Sequence, residues 1–127
     1  MAVSRFRFPI RLLPVLLVLA LPGALHAEPG PELTARVEAI FSEVRHSGCE
    51  FFRNGKAHDP KEAEKHMRRK FEHFSDEIDS VDKFIELAGT RSLMTGRAYT
   101  VRCPGQPESA TADWLKEADA RIEGASR

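Results

Sequence analysis

The residues best suited to chemistry in this sequence are a histidine and a lysine four positions apart, His66 and Lys70. This spacing places two side chains on one face of a helix, where both can point into the same cleft. A neutral histidine can act as a general base towards a hydroxyl, and Ser92 and Thr95 supply hydroxyls. A small envelope enzyme that uses His66 and a Ser or Thr hydroxyl is therefore one hypothesis.

The same pair has interpretations without catalysis. The sequence contains no Gly-x-Ser-x-Gly turn, which would present a serine nucleophile. His66 could form a polar flank of its helix, and the stem of Lys70 could cover apolar surface. We therefore favour a binding protein over an enzyme and assign no catalytic residue.

The histidines are also spaced poorly for a metal. His66 and His73 are two helical turns apart, which is too far for two ligands of one ion without a third element between them. His-x-x-x-His and Cys-x-x-Cys patterns are absent. We therefore predict neither a metal nor another cofactor.

Four helices are predicted to position these residues. Pro31 opens the first helix, Asp59 caps the second and Ser80 caps a short third one, while the fourth begins at about Thr111. Apolar residues at helical spacing form the inner faces. These residues are Leu33, Val37, Ile40, Phe41 and Val44 in the first helix, Ala63, Met67, Phe71, Phe74 and Ile78 in the second, Val81, Phe84, Ile85 and Ala88 in the third, and Trp114, Leu115, Ala118 and Ile122 in the fourth.

Little β structure is expected between the helices. Asn54-Gly55 predicts a tight turn or a very small hairpin. Residues 98–103 alternate and contain β-branched side chains, which predicts one short strand. The predicted fold class is therefore mainly α, a small four-helix domain with one short β strand or hairpin and one disulfide.

Several short motifs in a fixed order give the chain a family resemblance. They are residues 47–55, Ala63-x-x-His66-Met67-x-x-Lys70, residues 89–105 with Thr95-Gly96-x-x-Tyr99, and Trp114-Leu115. This string resembles the family of small exported bacterial proteins called domain of unknown function 5329. The resemblance implies an exported, Cys-paired, mostly helical domain and no particular activity. Polar members of this pattern are the predicted binding residues, namely Arg53, Asn54, His66, Lys70, Ser92, Thr95 and Tyr99.

The first 27 residues have the pattern of a signal peptide. Arg5, Arg7 and Arg11 precede an apolar stretch at 12–21, and Ala27 stands before Glu28. We predict cleavage after Ala27, which leaves residues 28–127 as a single exported domain, periplasmic or secreted, without a stable membrane span. An uncleaved anchor helix is the alternative, although the apolar stretch is short for one.

The exported location predicts the oxidation state of the two cysteines. Cys49 and Cys103 would enter an oxidising compartment, where a pair is expected to form a disulfide rather than remain as buried free thiols. Removing the three Arg of the signal from 19 basic residues leaves 16 against 19 acidic ones, a net charge of −3. This charge argues against nucleic acid. We predict an uncharacterised periplasmic binding or accessory module whose partner is an envelope protein or polymer.

Overall fold

A computed structural model describes residues 2–4 and 28–127 of the chain. The predicted signal peptide at 1–27 therefore lies almost wholly outside the described residues. The helices are α1 (Pro31–Arg45), α2 (Pro60–His73), α3 (Val81–Ala88) and α4 (Thr111–Ala125), and the strands are β1 (Glu50–Arg53), β2 (Lys56–His58), β3 (Thr100–Arg102) and β4 (Ser109–Ala110). In this part of the chain, no helix combines the length and the apolar character that crossing a membrane requires.

The helix starts lie where the local signals predict them. The Asp59 carboxylate accepts a hydrogen bond of 2.8 Å from the backbone N–H of Glu62, and the Ser80 hydroxyl accepts one of 3.1 Å from that of Lys83. Pro31 and Pro60 occupy the first turns of their helices, where no backbone N–H is needed. These caps fix where α2 begins, and so which of its residues face the sheet.

The core is built from the predicted helical faces. Phe41 of α1 is fully buried and meets Phe71 and Phe84 edge to face, with ring centroids 6.2 and 5.5 Å apart. Each such side chain contributes about 1.5–3 kcal/mol on burial. Val37, Ile40, Val44, Ala63, Met67, Ile85, Ala88 and Leu115 complete the helical part of this core, with Leu33, Val81, Trp114 and Ile122 partly buried around it. The prediction that Phe74 and Ile78 belong to the second helix is wrong, because α2 ends at His73. Phe74 caps that helix, and Ile78 is buried from the segment between α2 and α3.

The β structure is larger than predicted. The four strands form one antiparallel sheet in the order β2-β1-β3-β4, and Phe51 of β1 pairs with His58 on one side and Val101 on the other. The four predicted helices are present, but only about half of the described residues are helical, so the domain is not plainly mainly α. The sheet is also larger than the one strand or hairpin expected. The strands are two to four residues long. Such short runs give almost no alternating pattern.

The predicted hairpin and disulfide are both present. Asn54 and Gly55 have φ angles of 51° and 76°, the left-handed conformations that a tight two-residue turn requires. Cys49, just before β1, is bonded to Cys103, just after β3, across 54 positions of sequence. The disulfide therefore ties the segment that follows α1 to the segment that leads towards α4.

Candidate functional site

The centre of the candidate site is the His66 ring, which lies between Arg53 of β1 and Tyr99. An Arg53 guanidinium nitrogen contacts Nδ1 of His66, and Nε2 of the same ring lies 3.2 Å from the Tyr99 hydroxyl. Because a guanidinium only donates, Nδ1 must accept, and we assign the ring proton to Nε2, which donates to the Tyr99 oxygen. The His66 and Tyr99 rings also meet edge to face at 5.8 Å.

Lys70 extends this cluster from the next turn of α2. Its ammonium donates to the backbone carbonyl of Arg91 at 3.0 Å and to the Tyr99 hydroxyl at 3.3 Å, and it lies 5.0 Å from the centre of the Tyr99 ring. The Tyr99 oxygen therefore accepts from both Lys70 and His66. Its own O–H proton remains free to donate to another group.

The cluster is positive, and the described residues give it no acidic partner. Burial first, and then the charges of Arg53 and Lys70, lower the pKa of His66 from 6.5 to about 4, so the ring is neutral at neutral pH. Burial also lowers the pKa of Lys70, with a further contribution from Arg53, and raises the pKa of Tyr99 against the effect of Arg53. Within residues 2–4 and 28–127, no carboxylate forms an ion pair with Arg53 or Lys70.

The other three predicted residues hold the loop at 92–97. The Thr95 hydroxyl donates to the Asn54 side-chain oxygen at 2.6 Å, and the Asn54 amide lies 3.5 Å from the buried hydroxyl of Ser92. Inside the loop, the N–H of Gly96 donates to the carbonyl of Ser92 at 2.8 Å. The 92–97 loop is thus anchored to the hairpin turn of β1 and β2.

The tip of this loop carries two apolar side chains that the sequence analysis did not single out. Leu93 is 64% exposed and Met94 is 96% exposed. Both lie among the loop-forming residues between Thr90 and Gly96. Their position in a polar segment is the sequence feature that could have indicated exposed apolar side chains. Arg91 and Arg97 are exposed on either side of them.

All seven predicted binding residues therefore lie in one connected region, but their exposure differs. Asn54 and Thr95 are exposed, and Arg53 and His66 are partly buried. Lys70, Ser92 and Tyr99 are buried. The hydroxyl that meets His66 belongs to Tyr99, whereas the hydroxyls of Ser92 and Thr95 meet Asn54.

A small recess opens beside Arg53 and His66. It encloses about 30 Å³ and lies between the hairpin, α2 and the start of α4. Its lining residues are Phe51, Phe52, Arg53, His58, Glu62, Ala63, His66, Met67, Tyr99 and Thr111. The hydroxyl oxygen of Thr111 is buried there, and the described residues offer it no hydrogen-bond partner. Sequence reasoning used Thr111 only as a helix start.

A second buried charge on α2 lies on a different side. The Glu64 carboxylate, in a residue only 4% exposed, accepts from the guanidinium groups of Arg45 and Arg68. Burial acts to raise its pKa, but these hydrogen bonds and charges outweigh burial and lower it. The described residues contain no cluster of three or more His, Cys, Asp or Glu side chains that could hold a metal ion.

Comparison with known proteins gives a family without an assigned activity. Residues 31–123 match the model of DUF5329, described as a family of unknown function. The chain is also 33% identical over 86 residues to the uncharacterized protein YfeK of Salmonella typhimurium, an alignment that covers 67% of this chain and 70% of that protein. No solved structure matches the chain.

Proposed function

We propose that this protein, a member of DUF5329, is a non-catalytic binding or accessory module of the bacterial envelope. Membership itself supplies no activity, because DUF5329 is a family of unknown function. Export is supported by the basic and apolar pattern of residues 1–27. It is also supported by the Cys49–Cys103 disulfide, because such bonds persist in oxidising compartments.

The observation that carries the proposal is the pair of exposed apolar side chains on an anchored loop. Burial of Leu93 and Met94 contributes little to folding, since most of their surface stays in water. The Asn54 and Thr95 hydrogen bonds nevertheless hold the loop in place, so little conformational entropy is lost when it binds. An apolar tip on a pre-organised loop is typical of an anchor that fills a partner's recess.

The charges around the tip indicate the chemistry of the partner. Arg91 and Arg97 flank Leu93 and Met94, and neither forms an ion pair within the described ranges 2–4 and 28–127. Complementary charge at an interface steers association and sets register. We therefore propose an envelope protein that offers an apolar recess with an acidic rim.

Site-specific photocrosslinking in living cells tests this function. A photoreactive amino acid at Met94 should give a discrete covalent adduct with one envelope protein, whereas the same amino acid at Lys116, an exposed position of α4, should not. The adduct should weaken when Arg97 is changed to Glu in the same chain. Equal labelling from Met94 and Lys116, or no adduct from Met94, would refute the loop as the binding surface.

Export has its own test by mass spectrometry. The denatured protein from a periplasmic fraction should begin at Glu28 and weigh two hydrogens less than its reduced form, because the signal is removed and Cys49 is bonded to Cys103. A mass that includes residues 1–27 would contradict the cleavage, and an unchanged mass after reduction would contradict the disulfide.

A further inference from the structure

We propose that the recess beside Arg53 binds a small carboxylate with a short apolar tail, the carboxylate on Arg53 and the tail against the apolar wall. This inference concerns a separate site and does not rest on the loop-mediated binding proposed above. It follows from an excess of hydrogen-bond donors around an apolar space.

The walls of the recess are mainly apolar. Phe51, Ala63 and Met67 are buried members of the core that also line this space, and Phe52 adds a second ring. The enclosed volume of about 30 Å³ corresponds to roughly two water molecules, and with its mouth the atom-free space reaches about 330 Å³. This size is at the small end of ligand sites, so it suits a short alkyl chain better than a large molecule.

Arg53 and Tyr99 bring hydrogen-bond donors to the recess that the described residues do not fully use. The guanidinium of Arg53 has five N–H donors and meets His66, and no carboxylate within the described ranges pairs with it. Tyr99 accepts from two neighbours and keeps its own proton to donate. The Thr111 hydroxyl is 99% buried, since its residue is only 1% exposed, and it has no partner among the described residues.

These groups lack a negatively charged hydrogen-bond acceptor. Buried polar groups are normally paired, and each exception calls for an explanation. A carboxylate can accept two parallel hydrogen bonds from Arg53 and further ones from hydroxyls at the same time. Thr111 also begins α4, so the positive end of that helix adds to the potential at this wall.

The acidic residue of the lining does not fill this role. Glu62 is exposed, and its carboxylate contacts Nδ1 of His58 at 3.1 Å. Glu62 is thus an exposed residue of the lining that already has a partner, whereas Thr111 is a buried one. The donors inside are left for a group that comes from solution.

Titration of the folded full-length domain followed by two-dimensional ¹H–¹⁵N NMR tests the site. Butyrate should shift amide signals near Arg53, His66 and Thr111 in a saturable way. Butylamine, which has the same tail and the opposite charge, should cause no saturable shift. A response to neither probe, or an equal response to both, would mean that the recess holds only water or binds apolar groups without regard to charge.

Two variants separate binding from folding. Arg53→Gln should weaken butyrate binding at least tenfold, while Arg121→Gln, the same change at an exposed position of α4, should leave it unchanged. Thr111→Val keeps the shape and removes the unpaired hydroxyl, so it should weaken binding about threefold or more without lowering the melting temperature. A Thr111→Val protein that binds normally, or Arg53→Gln with wild-type affinity, would overturn the proposal.

Discussion

Helix α2 buries two opposite charges, Glu64 and Lys70, and the two differ in whether an oppositely charged group lies beside them. Glu64 forms ion pairs with Arg45 of α1 and with Arg68, one turn further along α2. Lys70 faces the sheet, where its ammonium meets the Arg91 carbonyl and the Tyr99 hydroxyl, with the cation Arg53 nearby. The buried charge on the helical side thus has ion-pair partners within the fold, whereas the described residues give the buried charge on the sheet side none.

This difference separates a structural charge from one available for function. A buried ion that has both hydrogen-bond partners and an oppositely charged partner within the fold has a structural role. A buried cation without a counter-ion lowers stability, and such costs are found where a protein binds something. We therefore interpret the Glu64 side as the frame and the Arg53–Lys70 side as the working surface.

The largest expected effect comes from removing the disulfide, which ties the start of β1 to the end of β3 on the sheet side. Replacing Cys49 and Cys103 with Ser should lower the free energy of unfolding by about 4 kcal/mol, because a loop of 54 residues is then free in the unfolded chain. For a domain of this size, the melting temperature should fall by roughly 20 °C. Thermal unfolding by circular dichroism measures this, and a fall of only a few degrees would show that the sheet side is held in place without the bond.

Breaking the frame should have the next largest effect. Glu64→Gln removes the charge that two guanidinium groups share and should cost about 2 kcal/mol, a buried-pair value reduced because Arg45 and Arg68 are partly exposed. Glu43→Gln is the control, since Glu43 pairs with Arg121 at the surface, and it should cost less than about 0.5 kcal/mol. Urea unfolding at neutral pH compares the two variants, and equal losses would contradict the structural role of Glu64.

Acidification should act on the sheet side through His66. Its pKa is about 4 when folded and 6.5 ordinarily, so below about pH 6.5 the unfolded chain takes up a proton that the folded chain refuses. The free energy of unfolding should therefore decrease as the pH is lowered through this window. The expected loss is about 1 kcal/mol between pH 7 and pH 5, after allowance for the partly exposed ring. The His66→Gln variant should lack this slope, and an identical slope in both proteins would assign it to other groups.

The local features of the fold could be predicted from the sequence, and the long-range ones could not. Caps such as Asp59 and Ser80 act within four residues, so the pattern that predicts them is complete in the chain itself. The β1–β3 pairing joins Phe51 to Val101, and β4 has only two residues. Register of this kind is set by packing, which no short stretch of sequence contains.

The same limit applies to the candidate site. The family resemblance named the polar residues, but it did not predict that Arg53 and Tyr99 would enclose the His66 ring. Thr111 was missed because its role depends on which element the start of α4 packs against. Leu93 and Met94 could not be predicted as an exposed pair, because they lie in a loop, where apolar residues follow no helical or strand period.

The most direct test of the central claim compares the two buried charges of α2 by substitution. Lys70→Met keeps the apolar stem and removes the charge, and Lys65→Met on the exposed face of α2 is its control. In urea unfolding, we predict that Lys70→Met changes stability by less than about 0.5 kcal/mol, because relief of the buried charge offsets the loss of its hydrogen bonds to Arg91 and Tyr99. Glu64→Gln should instead lose about 2 kcal/mol. If Lys70→Met loses as much as Glu64→Gln, the sheet-side charge is structural and the distinction between frame and working surface fails.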